Sequence, residues 1–342
     1  MSRSVWLKRE LGRAEASNDG AIHFEAVGAD FAAALPGELP ARSFEDTFRR
    51  HYPAVRDLLN DHPRPGLGLV AVGSEGLEGT AWFDARKDEA NPLILGRHAS
   101  AEIFLPSDPS LSLRHLAVVL HRHRAPAPVR FRVLDLRTPT AFADEEGRRL
   151  EAIESEGPLM IRCASYALLM FPTGGAGPRW PAEPELAWPR IPPRVYVDSR
   201  AADPERRLGL GDRAGVTLVP SFPGPVFTAR APLPFDPPRG ELLVASSSGR
   251  VSLRLGARAA RQGVLLGRYE RCDTAGLSVL ASPSLSRVHL LVIELDGALY
   301  AVDTASKNGS WRGSREIRSL RMEPGLRLRL AKDATVEWRP FH

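Results

Sequence analysis

Residues 283–313 of the chain read PSLSRVHLLVIELDGALYAVDTASKNGSWRG. The stretch opens with Ser-Arg-Val-His (286–289), continues through two apolar segments and reaches Ser-Lys-Asn-Gly (306–309). Short apolar segments bounded by turn residues predict β-strands. Upstream, Gly-Arg (267–268) closes another apolar run. Each of these polar elements therefore lies next to a predicted strand.

The polar elements contain the side chains that suit a phosphate ester. Such an ester carries about −1.5 to −2 charges near neutral pH and three acceptor oxygens. Binding it requires guanidinium charge and small hydroxyl donors, held on loops by a rigid scaffold. Arg268 and Arg287 offer the charge, and Ser286 and Ser306 offer the hydroxyls. Asn308 adds an amide that both donates and accepts, as the backbone of an extended peptide requires.

The order Gly-Arg (267–268), Ser-Arg-x-His (286–289) and Ser-x-Asn-Gly (306–309) resembles the signature of the forkhead-associated (FHA) family. The resemblance covers residues 240–339 well and residues 66–171 more loosely. It implies an antiparallel β-sandwich in which three loops at one end bind a phosphothreonine peptide.

The resemblance also implies a role for each motif position. The implied phosphopeptide-binding residues are Arg268, Ser286, Arg287, Ser306, Lys307 and Asn308. Arg268 and Ser286 would contact the phosphate, and Asn308 would hold the peptide backbone. The implied loop-shaping residues are Gly267, His289 and Gly309. His289 would brace the loops from below, and Gly309 would permit a positive φ.

Two positions depart from the family pattern. The Gly-Asp expected before the last strands is Gly325-Leu326, and a second expected glycine is replaced around Lys332-Asp333. We expect these positions to shape turns and not the binding surface.

The same motif order occurs earlier in the chain and predicts an internal duplication. Leu-Gly-Arg (95–97) precedes Ser-Leu-Arg-His (112–115), but residues 138–141 read Thr-Pro-Thr-Ala in place of Ser-x-Asn-Gly. The first copy therefore lacks the clamping amide and the flexible turn. Its candidate anion-site residues are Arg97, Ser112 and Thr138. A structural or dimerising role is the default interpretation, with phosphopeptide binding by this copy as the alternative.

The predicted fold class is all-β: two tandem FHA-type antiparallel sandwiches joined by a Pro-rich connector, behind a partly helical N-terminal extension. The predicted segments are 1–65 for the extension, 66–173 for the degenerate sandwich, 174–239 for the connector and 240–342 for the second sandwich. The connector should be extended and excludes a continuous helix or central strand, because prolines lack amide donors. Its aromatic residues favour packing along the sandwiches over a disordered tether that presents a Pro-rich ligand.

A helix is predicted over residues 43–60. Apolar residues recur there at helical spacing, behind Ser43 as a candidate N-cap with Asp46 at the third helical position. Pro53 predicts two short helices or one kinked helix. Packing on the neighbouring sandwich is the default interpretation, and a docking helix for a partner is the alternative. Residues 1–42 receive no assignment.

Composition narrows the class of protein. The chain has 342 residues and a formal net charge of +5. Its basic residues are almost all arginines, because only four are lysines. No Lys/Arg block supports nucleic-acid binding, which we do not expect. Cys163 and Cys272 have no Cys-x-x-Cys partner, and His121 and His123 lack a third ligand, so we expect no disulfide and no metal site. We interpret residues 121–123 as an exposed hairpin tip. No signal peptide or membrane span is evident, and we expect a cytoplasmic protein with no cofactor.

These observations favour a non-catalytic phosphothreonine-peptide-binding adaptor that acts with Ser/Thr kinase signalling. Its partner would be a phosphothreonine-containing protein, either a Ser/Thr kinase or a kinase substrate. The alternative is a constitutive assembly component that uses both sandwiches as phosphorylation-independent interfaces. An enzyme is least favoured, because the sequence has no P-loop, metal-ligand set or Gly-x-Ser-x-Gly elbow. The oligomeric state stays open.

Overall fold

The computed structural model describes residues 22–23, 43–175, 179–198, 216–222 and 236–341. The rest of the predicted N-terminal extension before residue 43, and connector residues 176–178, 199–215 and 223–235, lie outside the described residues. Backbone contacts divide the chain into two compact units, Met1–Ser221 and Phe222–His342. Each unit has its own pair of β-sheets and its own hydrophobic core.

The first unit is built from two sheets that face each other. Its described strands are β1 (Ile22–His23), β2 (Gly66–Val72), β3 (Leu77–Asp84), β4 (Asn91–Gly96), β5 (Ile103–Phe104), β6 (Leu116–Leu120), β7 (Phe131–Asp135), β8 (Phe142–Ala143), β9 (Arg149–Leu150), β10 (Ala152–Ser155), β11 (Leu159–Cys163), β12 (Tyr166–Thr173), β13 (Arg194–Asp198) and β14 (Thr217–Phe222). One sheet has the order β3-β2-β12-β11-β8-β9, and the other has the order β1-β5-β4-β6-β7-β10-β14-β13. Apolar side chains from both sheets form one core cluster between them.

The second unit is a smaller sandwich. Its described strands are β15 (Pro238–Ser246), β16 (Gly249–Gly256), β17 (Val264–Leu266), β18 (Leu290–Leu295), β19 (Ala298–Asp303), β20 (Ser310–Arg312), β21 (Arg315–Ile317), β22 (Ser319–Arg321), β23 (Arg327–Leu330) and β24 (Ala334–Pro340). The sheet orders are β16-β15-β24-β23-β20-β21 and β17-β18-β19-β22. All strand pairings given for this unit are antiparallel.

Strand order confirms the predicted duplication and the all-β sandwich class. The order β3-β2-β12-β11-β8-β9 in the first unit corresponds, strand for strand, to β16-β15-β24-β23-β20-β21 in the second. Likewise β4-β6-β7-β10 corresponds to β17-β18-β19-β22. The first unit differs by additional strands at both edges of its second sheet. Two sequence segments with little identity thus share one topology.

Alternating side chains explain why the second unit is a sandwich. In β23 the sequence Arg-Leu-Arg-Leu places Leu328 and Leu330 in the core, and both are fully buried. The opposite face of this sheet is polar. There Arg327 of β23 forms an ion pair with Glu337 of the neighbouring strand β24, with Nη2 and Oε2 2.9 Å apart. One apolar face and one charged face are what an antiparallel sheet with one side in water requires.

The first unit buries both faces of the corresponding sheet, and two helices cover the outer one. β2 is buried along its whole length, whereas β15 is not. Helices α1 (Phe44–Arg50) and α2 (Tyr52–Asp61) pack on that face, with Phe48 and Tyr52 fully buried. The chain forms two helices, as Pro53 predicts, and the Ser43 hydroxyl accepts the Asp46 N–H at 3.0 Å as an N-cap.

Described parts of the connector pack on the first unit. Helix α3 (Pro184–Ala187) and a 3₁₀ turn (Trp188–Arg190) lie beside α1, and Tyr52 Oη donates to Pro181 O at 2.6 Å. Strand β14 lies between β10 and β13, although it contains Pro220. The expectation that this segment holds no interior strand was therefore wrong. One proline removes one amide donor, and the remaining residues of β14 still pair with β13.

The segment 121–123 is not the exposed hairpin tip that we predicted. His121 is buried, its N–H donates to Arg130 O at 2.9 Å, and its Nε2 lies 3.8 Å from Glu154 Oε2. The pairing of β6 with β7 thus continues into this segment. Among the described residues, no group of three or more His, Cys, Asp and Glu side chains could hold a metal ion. Within the described ranges, no helix is both long and apolar enough to cross a membrane.

Candidate functional site

Three loops of the second unit meet at one end of its sandwich. We name them the Arg268 loop (267–276), the Ser286 loop (281–289) and the Lys307 loop (304–309). Backbone bonds join them: Arg268 N donates to Ser286 O at 3.4 Å, and Thr304 N donates to His289 O at 3.1 Å. The three loops that carry the predicted binding residues are therefore joined to one another.

Gly267 lets the first two loops come into contact. A Cβ at this position would lie 2.1 Å from Arg287 O, which no side chain tolerates. The next residue, Arg268, is exposed, and its Nε donates to Leu285 O at 2.9 Å. Because Nε is engaged, the guanidinium plane is oriented and its two terminal nitrogens remain for an anion.

Ser286 and Lys307 are joined directly. Ser286 Oγ accepts the backbone N–H of Lys307 at 2.9 Å. With its oxygen engaged as an acceptor, the hydroxyl keeps its hydrogen to donate to a ligand. The Lys307 side chain is exposed, as is that of Arg287 on the neighbouring loop. Ser286 itself is 8% exposed; it precedes the exposed Arg287 in the sequence, and its oxygen is bonded to the backbone of the exposed Lys307.

His289 is a fully buried brace between the loops. Its Nδ1 accepts the Ser286 N–H at 3.1 Å, so the ring proton resides on Nε2. Nε2 lies 3.2 Å from Gly309 O, to which it donates. This geometry agrees with the loop-shaping role that the resemblance implies, and His289 does not face a ligand.

Ser306 turns inward. Its Oγ and its N–H both donate to the carboxylate of Asp303, each at 2.7 Å, and Ser310 Oγ donates to Asp303 Oδ2 at 2.6 Å. In this arrangement the Ser306 hydrogen points to Asp303 and away from the loop surface. The structure thus places Ser306 in the framework of the Lys307 loop, and its predicted phosphate contact is not formed by this rotamer.

Asn308 is exposed and partly engaged. Its Nδ2 donates to Ser284 O at 2.6 Å, which leaves its Oδ1 and its second N–H for a peptide backbone. Gly309 follows with φ of +70°, and a Cβ there would meet Glu316 Oε1 at 2.4 Å. The positive φ favours a glycine here, whereas the exposed Glu316 side chain could move away from a Cβ.

The surface formed by these loops is cationic. Arg268, Arg287 and Lys307 are exposed there. Of the nearby acids, Asp303 is buried and saturated with donors. Asp333 is exposed, and hydrogen bonds from Ser282 and then Ser284 hold the pKa of Asp333 below its ordinary value. A cationic surface of this kind suits a phosphate dianion.

The first unit keeps the framework of these loops. Arg97 Nε donates to Leu111 O at 2.5 Å, as Arg268 does to Leu285. His115 Nδ1 accepts the Ser112 N–H at 3.0 Å, and its Nε2 lies 2.9 Å from Thr140 O. Thr138 Oγ1 donates to Asp135 at 2.5 Å, in the manner of Ser306. The three candidate anion-site residues are therefore brought to one end of this unit.

The first unit carries different residues at three positions of these loops. Pro139 stands where Lys307 is, and it has no N–H to offer Ser112. Thr140 replaces Asn308, and Leu113 replaces Arg287 with 48% of its surface exposed. Burial also lowers the pKa of His115 to about 4 and raises the pKa of Asp135 to about 6. The framework is retained together with Arg97 and Ser112, but the residues equivalent to Arg287, Lys307 and Asn308 are replaced.

Sequence reasoning missed two contributors to the second site, Ser284 and Asp333. Ser284 supplies the carbonyl that Asn308 contacts, and Asp333 accepts the Ser284 hydroxyl. A signal existed in the run Ser-x-Ser-x-Ser (282–286), because hydroxyls at every second position can face one acceptor. The position of Asp333 opposite this run follows from strand pairing and not from local sequence.

One family model and several solved structures are similar to parts of this chain. Residues 264–331 match the FHA domain family model. The Slr1951 protein from Synechocystis sp. is 17% identical over 31% of this chain and 98% of that chain, with a TM-score of 0.27. The FHA-1 domain of Mycobacterium tuberculosis Rv1747 is 24% identical over 30% and 98%, with a TM-score of 0.24. The FHA domain of CT664 from Chlamydia trachomatis is 18% identical over 30% and 99%, with a TM-score of 0.26. No curated protein matches the chain.

Proposed function

Because this chain contains an FHA domain at residues 264–331, we propose that it is a non-catalytic phosphothreonine-peptide-binding adaptor acting with Ser/Thr kinase signalling. One observation supports this most. Arg268, Arg287 and Lys307 are exposed on three loops that hydrogen bonds join, and the bond from Nε to Leu285 O orients the Arg268 guanidinium. Its partner is a phosphothreonine-containing protein, a kinase or a kinase substrate.

Each group contributes a different part of recognition. The terminal nitrogens of Arg268 bind two phosphate oxygens, and the Ser286 hydroxyl donates to the third. Arg287 and Lys307 supply further charge at the rim. Asn308 pairs with the peptide backbone through the polar atoms that its bond to Ser284 leaves free. The site therefore recognises both the phosphate and the extended chain that carries it.

The test is titration calorimetry of the full chain against a phosphothreonine peptide selected from a library. Arg268→Ala should weaken binding by about 2 to 5 kcal/mol, or roughly 30-fold to several thousand-fold. Arg250→Ala is a matched control, because Arg250 is an exposed arginine on β16 outside the loops. The unphosphorylated peptide should not bind. Equal affinity of wild type and Arg268→Ala would disprove the assignment.

A phosphorylation-independent assembly role is the second candidate, and the first unit favours it. That unit keeps the loop framework, yet it presents the exposed Leu113 where the second unit presents Arg287. An apolar side chain at the tip of such loops suits a constitutive protein contact. Two results of a pull-down would support this role. Partners should still be retained after the lysate has been treated with phosphatase, and Leu113→Asp should release them.

A further inference from the structure

A fourth segment, the Asp333 turn (331–333) between β23 and β24, contacts two of the three loops. Asp333 Oδ2 accepts hydrogen bonds from the hydroxyls of Ser282 at 2.6 Å and Ser284 at 2.5 Å. Ala331 N donates to Gly309 O at 2.9 Å. The turn is thus bonded to both the Ser286 loop and the Lys307 loop.

Ser284, which donates to Asp333 through its hydroxyl, also contacts Asn308 through its backbone carbonyl. Ser284 N donates to Ser282 Oγ at 3.2 Å, so the two serines form a tight turn closed by one carboxylate oxygen. The Ser284 carbonyl then accepts Asn308 Nδ2 at 2.6 Å. A shift of the Ser284 backbone, which the bonds to Ser282 and Asp333 restrain, would move this carbonyl and, with it, the amide group of Asn308.

The first unit contains the same link with donor and acceptor exchanged. Asp108 corresponds to Ser282, and its Oδ2 accepts the N–H of Ser165 in the β11–β12 turn at 2.8 Å. Its Oδ1 accepts the Ser110 N–H at 2.7 Å. The carboxylate lies on the loop in one unit and on the turn in the other. In each unit, hydrogen bonds connect the Ser286 loop, or its equivalent, to the turn between the corresponding two strands, although different residues form them. We take this to indicate that the loop requires the connection.

We propose that Asp333 is a positioning residue of the phosphopeptide site. It holds Ser282 and Ser284 in place, and the Ser284 carbonyl in turn orients the Asn308 amide toward the peptide backbone. This inference rests on the proposed function. Asp333 does not itself contact the peptide, and its effect passes through Ser284.

The sign of one mutational effect separates positioning from simple electrostatics. Asp333 is an exposed negative charge beside the cationic surface of Arg268, Arg287 and Lys307. If charge alone mattered, removing it would strengthen the binding of a phosphate dianion. If Asp333 positions Asn308, removing it weakens binding. Asp333→Ala and Glu323→Ala each remove one exposed negative charge, and Glu323 lies in the connection between β22 and β23, outside the three loops.

The experiment measures full-chain variants in two ways. Calorimetry with the phosphothreonine peptide should show roughly tenfold weaker binding for Asp333→Ala, which is about 1.4 kcal/mol. Ser284→Ala should also weaken binding. Glu323→Ala should leave the affinity within about twofold of the wild-type value or raise it. In an Asn308→Ala background, Asp333→Ala should have no further effect, because the two residues act in series.

The second measurement is the Asn308 side-chain amide signal in NMR spectra of the peptide-free protein. This signal should shift in Asp333→Ala and not in Glu323→Ala. Wild-type or tighter binding by Asp333→Ala, or an unshifted Asn308 signal, would overturn the inference. If wild type binds no phosphothreonine peptide, the proposed function fails, and the Asn308 signal still decides whether Asp333 orients that amide.

Discussion

The backbone N–H of Lys307 donates a 2.9 Å hydrogen bond to the hydroxyl oxygen of Ser286. This bond joins two loops of the second unit and leaves the Ser286 hydrogen to donate outward. The corresponding residue in the first unit is Pro139, which lacks an N–H. The backbone at Lys307 can therefore bond to the hydroxyl of Ser286, whereas the backbone at Pro139 cannot make the equivalent bond to Ser112.

Replacing this N–H should weaken phosphopeptide binding more than replacing the Lys307 charge. Lys307→Ala removes an exposed charge and retains the bond, so we expect a loss of about two- to fivefold. Lys307→Pro removes both, and losing a hydrogen bond to a ligand-facing group should raise the loss above about tenfold. Calorimetry with one peptide compares the two variants. Equal losses would show that the bond to Ser286 does not matter.

Gly267→Ala should destabilise the strands that lead into the site. The new Cβ would lie 2.1 Å from Arg287 O, and both backbones would have to separate. We expect a cost of about 1 to 3 kcal/mol. Hydrogen exchange of the β17 and β18 amides measures it, with Ser314→Ala in an exposed turn as the control. Unchanged protection would mean that the loops can separate without cost.

Two buried groups of the first unit should oppose each other as the pH changes. The pKa of His115 is lowered from 6.5 to about 4, so its contribution to stability is present above 6.5 and is lost as the pH falls toward 4. The pKa of Asp135 is raised from 3.8 to about 6, so its contribution is present below 3.8 and is lost as the pH rises through 6. Each shift is worth up to about 3 kcal/mol.

Asp135→Asn should therefore reveal the His115 effect. The variant does not titrate and keeps one of the two acceptor oxygens that Thr138 uses, so the first unit should lose stability as the pH falls from 6.5 to 4 more steeply than wild type. Urea unfolding of both proteins between pH 4 and 7 measures the difference. Parallel curves would show that Asp135 keeps its ordinary pKa in the folded protein.

Phe48→Ala should destabilise the first unit by about 3 to 5 kcal/mol, because it empties a buried aromatic site. Phe48 is fully buried, with ring centroids 5.2 Å from Tyr52 and 5.3 Å from Trp188. Urea unfolding measures the loss. The exposed Leu186→Ala is the control. A small effect would favour the docking-helix interpretation of α1 and α2.

Much of the fold follows from the amino-acid order alone. Alternating apolar residues and turn signals predicted two sandwiches, and strand order confirms them. The match of residues 264–331 confirms the resemblance. The motif positions also predicted which residues stand at the loop end of the second unit. Strand periodicity places a residue at a strand end and on one face, and that information is local in sequence.

Several hydrogen bonds of the loops depended on partners distant in sequence. Ser284 Oγ donates to Asp333, 49 residues away, and Lys307 N donates to Ser286 Oγ, 21 residues away. Residue spacing does not specify which acceptor lies nearest a hydroxyl, because the acceptors arrive on other strands. The motif thus indicates the candidate ligand residues, while the contacts of the β23–β24 turn with the loops are visible only in the tertiary structure.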